Sequence, residues 1–232
     1  MANTPKQFAD AVEATLAPLA NREMAVRMER YLLNRYAFLG LPAPVRRNAV
    51  KTLIAQPWQS SRHLLNAAHL LWGKTSREYR YTAIDLLMRH HHLLSIGDIP
   101  VLRELLENES WWETVDGLTS VVGAVLHERE RLAGNGHALM DEWVEDGNFW
   151  VRRAAMLHQR GWRLDTDQRR LFCYAKQLGG DTEFFVRKAI GWALRDFARW
   201  DAESVRRFVQ CNEPILSPLT VREAMKHLRE PV

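Results

Sequence analysis

Apolar residues recur at steps of three and four along almost the whole chain, the period of helices that bury one stripe. Over 75–91, Tyr79, Ala83, Leu86 and Leu87 fall on one face, and over 97–107 Ile99, Leu102, Leu105 and Leu106 do the same. No strand-length window alternates apolar with polar, and no Asn-Gly or Asp-Gly pair sits between two alternating runs as a hairpin would need. The breaks are short: Gly40–Pro44, Gly97–Pro100, Gly134–Gly136, Gly179–Asp181 and Pro214–Pro218. The pattern therefore predicts about a dozen ordinary helices joined by short loops. No linker is long or polar enough to divide the chain, so 1–232 reads as a single domain.

The helices also repeat. Val151-Arg152-Arg153-Ala154 returns 35 residues later as Val186-Arg187-Lys188-Ala189, and after a second equal step as Val221-Arg222-Glu223-Ala224. A weaker echo lies at Tyr81-Thr82-Ala83, two periods upstream within one residue. A repeat of helix-pair length means stacked helical hairpins, each burying its stripe against its neighbours. The fold class expected is all-α: a curved solenoid of about six HEAT-like helical hairpins, more compact than the roughly 40–47 residues usual for that repeat. Equivalent positions in such a stack line up, so Arg152, Arg187 and Arg222 form one ladder and Arg153 and Lys188 another. The functional expectation is a concave basic face that binds a long polyanion. The plain alternative is that these cations cover the carbonyl ends of neighbouring helices or pair with acids.

Charge sharpens this picture more than composition does. Apolar residues at 47% and charged residues at 26% exclude a disordered chain, and 12 glycines with 9 prolines exclude a collagenous one. Cys173 and Cys211 give no disulfide framework, which points to the cytoplasm. No run approaches the roughly 20 apolar residues of a membrane span, and the N-terminus has no basic-then-apolar signal pattern. The net charge of +4 conceals an uneven distribution. Residues 1–100 hold 13 bases and 7 acids, residues 101–150 hold 3 and 11, and residues 151–210 hold 13 and 7. Two basic lobes thus flank an acidic segment, a distribution that suits a polyanion or, more plainly, solvated helix faces.

Two of the nine tryptophans stand in chemically suggestive places. In Trp111-Trp112-Glu113-Thr114-Val115-Asp116, Trp111 shares a core face with Val115, Leu118 and Val122. Trp112 and Asp116 are four apart on another stripe, continued by Thr119 and Gly123. A tryptophan beside a carboxylate, with no apolar stripe to bury it, suits a ligand-facing surface. The alternative is a half-buried tryptophan with Asp116 capping a neighbouring helix. From Phe184 to Arg199, Phe185, Ala189, Ala193 and Phe197 can face the core, while Lys188, Trp192, Arg195 and Arg199 form one stripe. An aromatic among three cations is a stacking and phosphate-binding arrangement, or else a tryptophan covered by snorkelling side chains. A helix near Met28–Ala37 offers Arg27, Arg30, Tyr31 and Arg35, followed by Arg46, Arg47 and Lys51. His90-His91-His92 fan around a helix and read as a solvated helix end. No zinc, phosphate-loop or serine-hydrolase motif is present, so no metal or cofactor is expected.

Taken together, these residues resemble the AlkD-type DNA alkylation repair enzymes, a family of HEAT-like repeat DNA glycosylases, over about 24–229. The resemblance rests on Met28-Glu29-Arg30-Tyr31, Phe38-Leu39-Gly40 with Pro44-Val45-Arg46-Arg47, and Ser110 through Asp116. Further matches are Asn148-Phe149-Trp150 with Arg153-Ala154-Ala155, Phe184-Phe185, Lys188 through Arg195, and Pro218-Leu219 with Arg222-Glu223-Ala224. Lys188-Ala189-Ile190-Gly191-Trp192 is the most specific. The resemblance implies base excision repair of duplex DNA, by removal of positively charged N3- and N7-alkylated purines such as 3-methyladenine and 7-methylguanine without a base-flipping pocket. It makes Asp116 the catalytic carboxylate, Trp112 and Trp192 the aromatics flanking the deoxyribose, Tyr31 a further aromatic at the cleft, and Arg153 a backbone contact. Lys188, Arg152, Arg187, Arg195 and Arg47 are the other expected contacts to the DNA backbone. A monomer associated with the nucleoid, needing no cofactor and no membrane, completes the expectation. The alternative on the same scaffold is a non-catalytic module that binds damaged or branched DNA, and a protein-interaction scaffold is a third reading.

Overall fold

The structure, a computed structural model, describes residues 4–133 and 137–228, so the expected break at Gly134–Gly136 lies outside the described residues. Those residues hold thirteen α-helices, four short 3-10 turns and no strand; Ala37 and Ser76 form an isolated bridge. The fold is an all-α helical repeat. No helix among the described residues is long and apolar enough to cross a membrane. The contacts gather into two compact units, Met1–Leu105 and Leu106–Val232.

In the first unit α1 (Pro5–Leu16) packs on α3 (Ala43–Ile54) and α4 (Ser61–Trp72), and α5 (Arg77–Arg89) packs on both α3 and α4. Helix α2 (Arg22–Tyr31) lies between α1 and α3 in sequence. Phe8, Val12 and Leu16 of α1, Leu64 and Leu71 of α4, and Leu86 and Leu87 of α5 are buried together in the core. Caps set the starts: Thr4 and Gln7 form a reciprocal capping box, and Asn21 and Ser60 accept first-turn N–H groups. Helix α2 stops at Tyr31 rather than reaching Ala37, because Leu33 and Asn34 take left-handed backbone angles of 59° and 54°. His90 departs from the solvated end expected of it. It closes α5 as a buried residue whose ring nitrogen lies 2.7 Å from the Ile54 carbonyl.

The segment Phe38-Leu39-Gly40 has a physical reason for its composition. Glu78, fully buried on α5, accepts three consecutive backbone N–H groups, from Leu39 at 2.9 Å, Gly40 at 2.8 Å and Leu41 at 3.0 Å. Gly40 has φ of +87°, and a Cβ there would stand 2.0 Å from the Asn21 carbonyl oxygen, so no other residue fits. One buried carboxylate thus fixes the turn that leads α2 into α3. We predict that Glu78→Ala lowers stability by about 3–5 kcal/mol, as expected when one side of a buried charged network is removed. Urea unfolding at pH 7 measures it.

Helix α6 (Ile99–Glu107) contains the boundary at Leu105, and Pro100 sits in its first turn rather than in a loop. In the second unit α7 (Trp112–Ala133), α9 (Phe149–Leu157), α11 (Phe184–Phe197) and α13 (Pro218–Ala224) pack in succession. Helix α8 (His137–Trp143) packs on α9, α10 (Gln168–Gln177) on α9 and α11, and α12 (Ala202–Asn212) on α11 and α13. The three copies of the 35-residue repeat fall at matching places in α9, α11 and α13. Their alanines, Ala154, Ala189 and Ala224, are all buried, and so are Val151 and Val186. The two positions between valine and alanine are therefore left to reach the neighbouring helix.

Beneath α9, His158 is buried against Trp162 and Tyr174. Burial pushes its imidazole down to about 4; a bond to the Ala155 carbonyl opposes this, and the nearby His137 and Arg170 reinforce it. An unfolded histidine titrates near pH 6.5. Between about pH 6.5 and 4 the unfolded chain therefore takes up a proton that the folded chain refuses, and stability falls as pH falls. We predict a loss of about 1.4 kcal/mol per pH unit from this residue inside that window. Urea midpoints from pH 7 to 4.5 check it, with a shallower slope in His158→Gln.

Candidate functional site

The second unit brings the sequence candidates Asp116, Arg153, Lys188 and Trp192 into one continuous set of contacts. Asp116 lies in the second turn of α7 and Arg153 in the second turn of α9. Arg153 donates from Nε to Asp116 Oδ1 at 2.8 Å and from Nη2 to Oδ2 at 2.9 Å, a bidentate pair. Its Nη1 donates to the Phe185 carbonyl at the start of α11. The Arg153 side chain is 1% exposed and that of Asp116 17%. The guanidinium is a buried anchor, and the carboxylate it holds opens to the surface. This differs from the expected contact between Arg153 and the DNA backbone. Its hydrogen bonds run to Asp116 and Phe185, and burial removes it from the surface.

Aromatic rings close around the pair. The Arg153 guanidinium lies 5.3 Å from the Trp192 ring centre and 5.9 Å from that of Phe185. Trp111, Trp150 and Phe185 form a mutual cluster with centroids 4.9–5.9 Å apart. Trp111 thus belongs to a packed aromatic group, in line with the core face it shares with Val115, Leu118 and Val122. Trp112 starts α7 one turn before Asp116 and is half-buried. The rest of that stripe is not ligand-facing. Thr119 is buried with its hydroxyl on the Val115 carbonyl, and Gly123 lies directly against the carbonyl of His158, the residue that caps the end of α9. Only the Trp112–Asp116 end of the stripe remains open.

Trp192 is half-buried on α11 and surrounded by charge. Lys188 and Arg160 lie 5.5 and 5.6 Å from its ring centre, and its indole N–H donates to Glu223 Oε2 at 3.1 Å. Glu223 also takes Lys188 Nζ at 3.0 Å and Arg195 Nη1 at 2.7 Å. Burial alone would push the Glu223 carboxyl up. Hydrogen bonds from Lys188 and Arg195, the Lys188 charge and the indole outweigh that and hold it down at about 2. The carboxylate is therefore ionised across the whole physiological range.

The remaining expected phosphate contacts also have partners inside the protein. Arg152 donates to Asp181 at 2.9 Å and to the Asp146 and Gly147 carbonyls at the end of the preceding turn, and Arg187 donates to the Asp181 carbonyl. These ladder cations pair with acids and cover carbonyl ends, the plainer of the two readings of the repeat. In the first unit, Arg47 is largely exposed and pairs with Asp85, which also holds buried Arg46. Tyr31 is 72% exposed at the end of α2. Sequence reasoning missed two residues that this site uses, Glu223 and Arg160. The signal for Glu223 was present: in the aligned repeats it stands where Arg153 and Lys188 stand, with opposite charge.

No curated protein matches the chain. Among solved structures, one described as a "Predicted DNA alkylation repair enzyme from Enterococcus faecalis" superposes with a TM-score of 0.81 at 29% identity, covering 91% of this chain and 98% of that one. AlkD2 from Streptococcus mutans superposes with a TM-score of 0.63 at 18% identity, covering 97% of this chain and 99% of its own, which is a likeness of fold. The family model for the DNA alkylation repair enzyme matches residues 12–228, and the chain belongs to that family.

Proposed function

We propose that this protein is a monofunctional DNA glycosylase that removes N3- and N7-alkylated purines, such as 3-methyladenine and 7-methylguanine, from duplex DNA. One observation carries the proposal: the Asp116 carboxylate is clamped by a buried arginine and opens to the surface beside aromatic rings. Family membership and the likeness to the Enterococcus faecalis structure support the same reading. Alkylation at N3 or N7 leaves the purine positively charged, so it departs as a neutral base with no acid to protonate it. As the C1′–N bond breaks, positive charge develops on the sugar. A fixed carboxylate stabilises that charge, orients the water that adds to C1′, and accepts the proton the water releases. Trp112 and Trp192 flank the deoxyribose and add cation–π attraction. Because the carboxylate acts on the sugar, no base-flipping pocket is required. Lys188 is the lysine that folding brings near Trp192; its amine is bound to the Glu223 carboxylate rather than free to form a Schiff base, which favours simple hydrolysis.

In this reading Arg153 holds Asp116, and Lys188 and Arg195 stay on Glu223 instead of reaching the DNA backbone as expected from the sequence, while Arg152, Arg187 and Arg47 reach DNA phosphates by exchanging their present partners. We expect Asp116→Asn to slow release of 7-methylguanine from methylated duplex DNA by about 10²–10³-fold, the usual effect of removing one electrostatic group. DNA affinity should persist. Release at the wild-type rate would reject the assignment of Asp116 and leave the non-catalytic binding module as the better reading. Arg153→Ala is expected to slow release through the same carboxylate, so that adding it to Asp116→Asn changes little further. DNA affinity should fall steeply between 50 and 200 mM salt in proportion to the phosphates neutralised. A flat response would count against both DNA readings.

A further inference from the structure

We infer that Glu223 is a positioning residue for this reaction, acting through Trp192; the inference rests on the glycosylase reading above. Trp192 is half-buried on α11. Its indole is anchored at the polar edge by a hydrogen bond from Nε1 to Glu223 Oε2 at 3.1 Å. The acceptor is itself immobile. Lys188 and Arg195, four residues before and three after Trp192 on the same helix, both grip the Glu223 carboxylate, at 3.0 and 2.7 Å. The side chain of Glu223 is only 14% exposed.

The backbone is built to bring this carboxylate close. A Cβ on Gly191, next to Trp192, would stand 2.5 Å from the Glu223 Cβ and 2.9 Å from the Thr220 carbonyl oxygen. Only glycine lets α13 approach α11 at this point, and that approach delivers Glu223 to the indole. Thr220 fastens the same contact with its hydroxyl on the Arg187 carbonyl at 3.0 Å.

Glu223 has a second effect on the ring. Arg153, Arg160 and Lys188 all lie within 5.3–5.6 Å of the Trp192 ring centre. Unopposed, these cations repel the positive charge that develops on the sugar and draw on the electron density the ring offers it. The carboxylate offsets Lys188 and Arg195 and, through the N–H bond, polarises the indole toward greater density on its face. Orientation and charge thus act in the same direction.

The test is a double-mutant cycle on single-turnover release of 7-methylguanine from methylated duplex DNA, using the full chain. Glu223→Ala is expected to slow release about tenfold or more, and Glu223→Gln less, because its amide oxygen still accepts the indole N–H. In a Trp192→Phe background both substitutions should have almost no effect, the signature of two residues acting as one unit. A second readout is the Trp192 indole N–H resonance in a ¹⁵N–¹H spectrum, assigned by its loss in Trp192→Phe. It should shift strongly in Glu223→Ala and only partly in Glu223→Gln, which also covers the case of weak folding in the alanine variant. Equal slowing with and without the tryptophan would make Glu223 a merely structural residue and overturn the inference. So would wild-type rates in both Glu223 variants while Trp192→Phe and Asp116→Asn remain slow. If instead Asp116→Asn and Trp192→Phe both release base normally, the glycosylase site itself is wrong, and this inference falls with it.

Discussion

The second unit is organised around a guanidinium with nowhere else to go. Arg153 is buried, so its charge needs partners within the protein, and it takes them from two other helices: Asp116 of α7 and the Phe185 carbonyl of α11. Breaking a buried pair of this kind by deleting one partner costs about 3–5 kcal/mol, far more than an exposed pair is worth. The distance between α7 and α11 is therefore fixed by a side chain belonging to neither. The relation of Asp116 to Trp192 follows from that constraint. A carboxylate that must stabilise a fleeting charge gains from being held before the charge appears, since no reorganisation is then needed.

The same device recurs at other steps of the chain. Glu78 holds the backbone of Leu39–Leu41, Arg46 reaches Thr82, and Lys188 reaches Glu223, each across roughly one helical hairpin. Helices in a repeat stack meet mainly through small residues such as Ala154, Ala189 and Ala224, which bury little area individually. Polar links between equivalent positions set the register that alanine contacts alone leave loose. They also explain why the repeat reads Val-cation-cation-Ala and then changes to Val-Arg-Glu-Ala at its last copy. The final carboxylate meets the cation of the copy before it.

Helix content and the repeat were legible in the sequence because both are periodic, and burial of Tyr79, Ala83, Leu86 and Leu87 on one stripe follows directly from that period. The place of Trp111 in a packed aromatic group was legible for the same reason, its position on the Val115 face of the helix. Pairing was not. The ladder positions Arg152, Arg187 and Lys188 could be read either as a polyanion surface or as internally paired, because their acceptors, Asp181 and Glu223, come from other turns of the chain. The boundary between the two units was hidden too, because it falls inside α6 rather than in a linker. The helix expected over Met28–Ala37 failed on left-handed residues, Leu33 and Asn34, that no periodicity reports.

An enzyme for cationic bases in DNA faces opposed electrostatic demands. Phosphates ask for positive charge, whereas an alkylated purine and the sugar cation it leaves behind are repelled by it. The arrangement around Trp192 answers both within a few ångströms. Arg153, Lys188 and Arg195 are all present, yet Asp116 takes the first and Glu223 the other two. Each of these three cations is thus offset by a carboxylate close to the proposed site. The segment 101–150, with 11 acids against 3 bases, contributes Asp116 to that balance, and Glu223 comes from the opposite end of the unit. Charge is thus balanced by the pairing of individual side chains across helices rather than by composition. A mildly basic total is compatible with a site that favours a positive transition state.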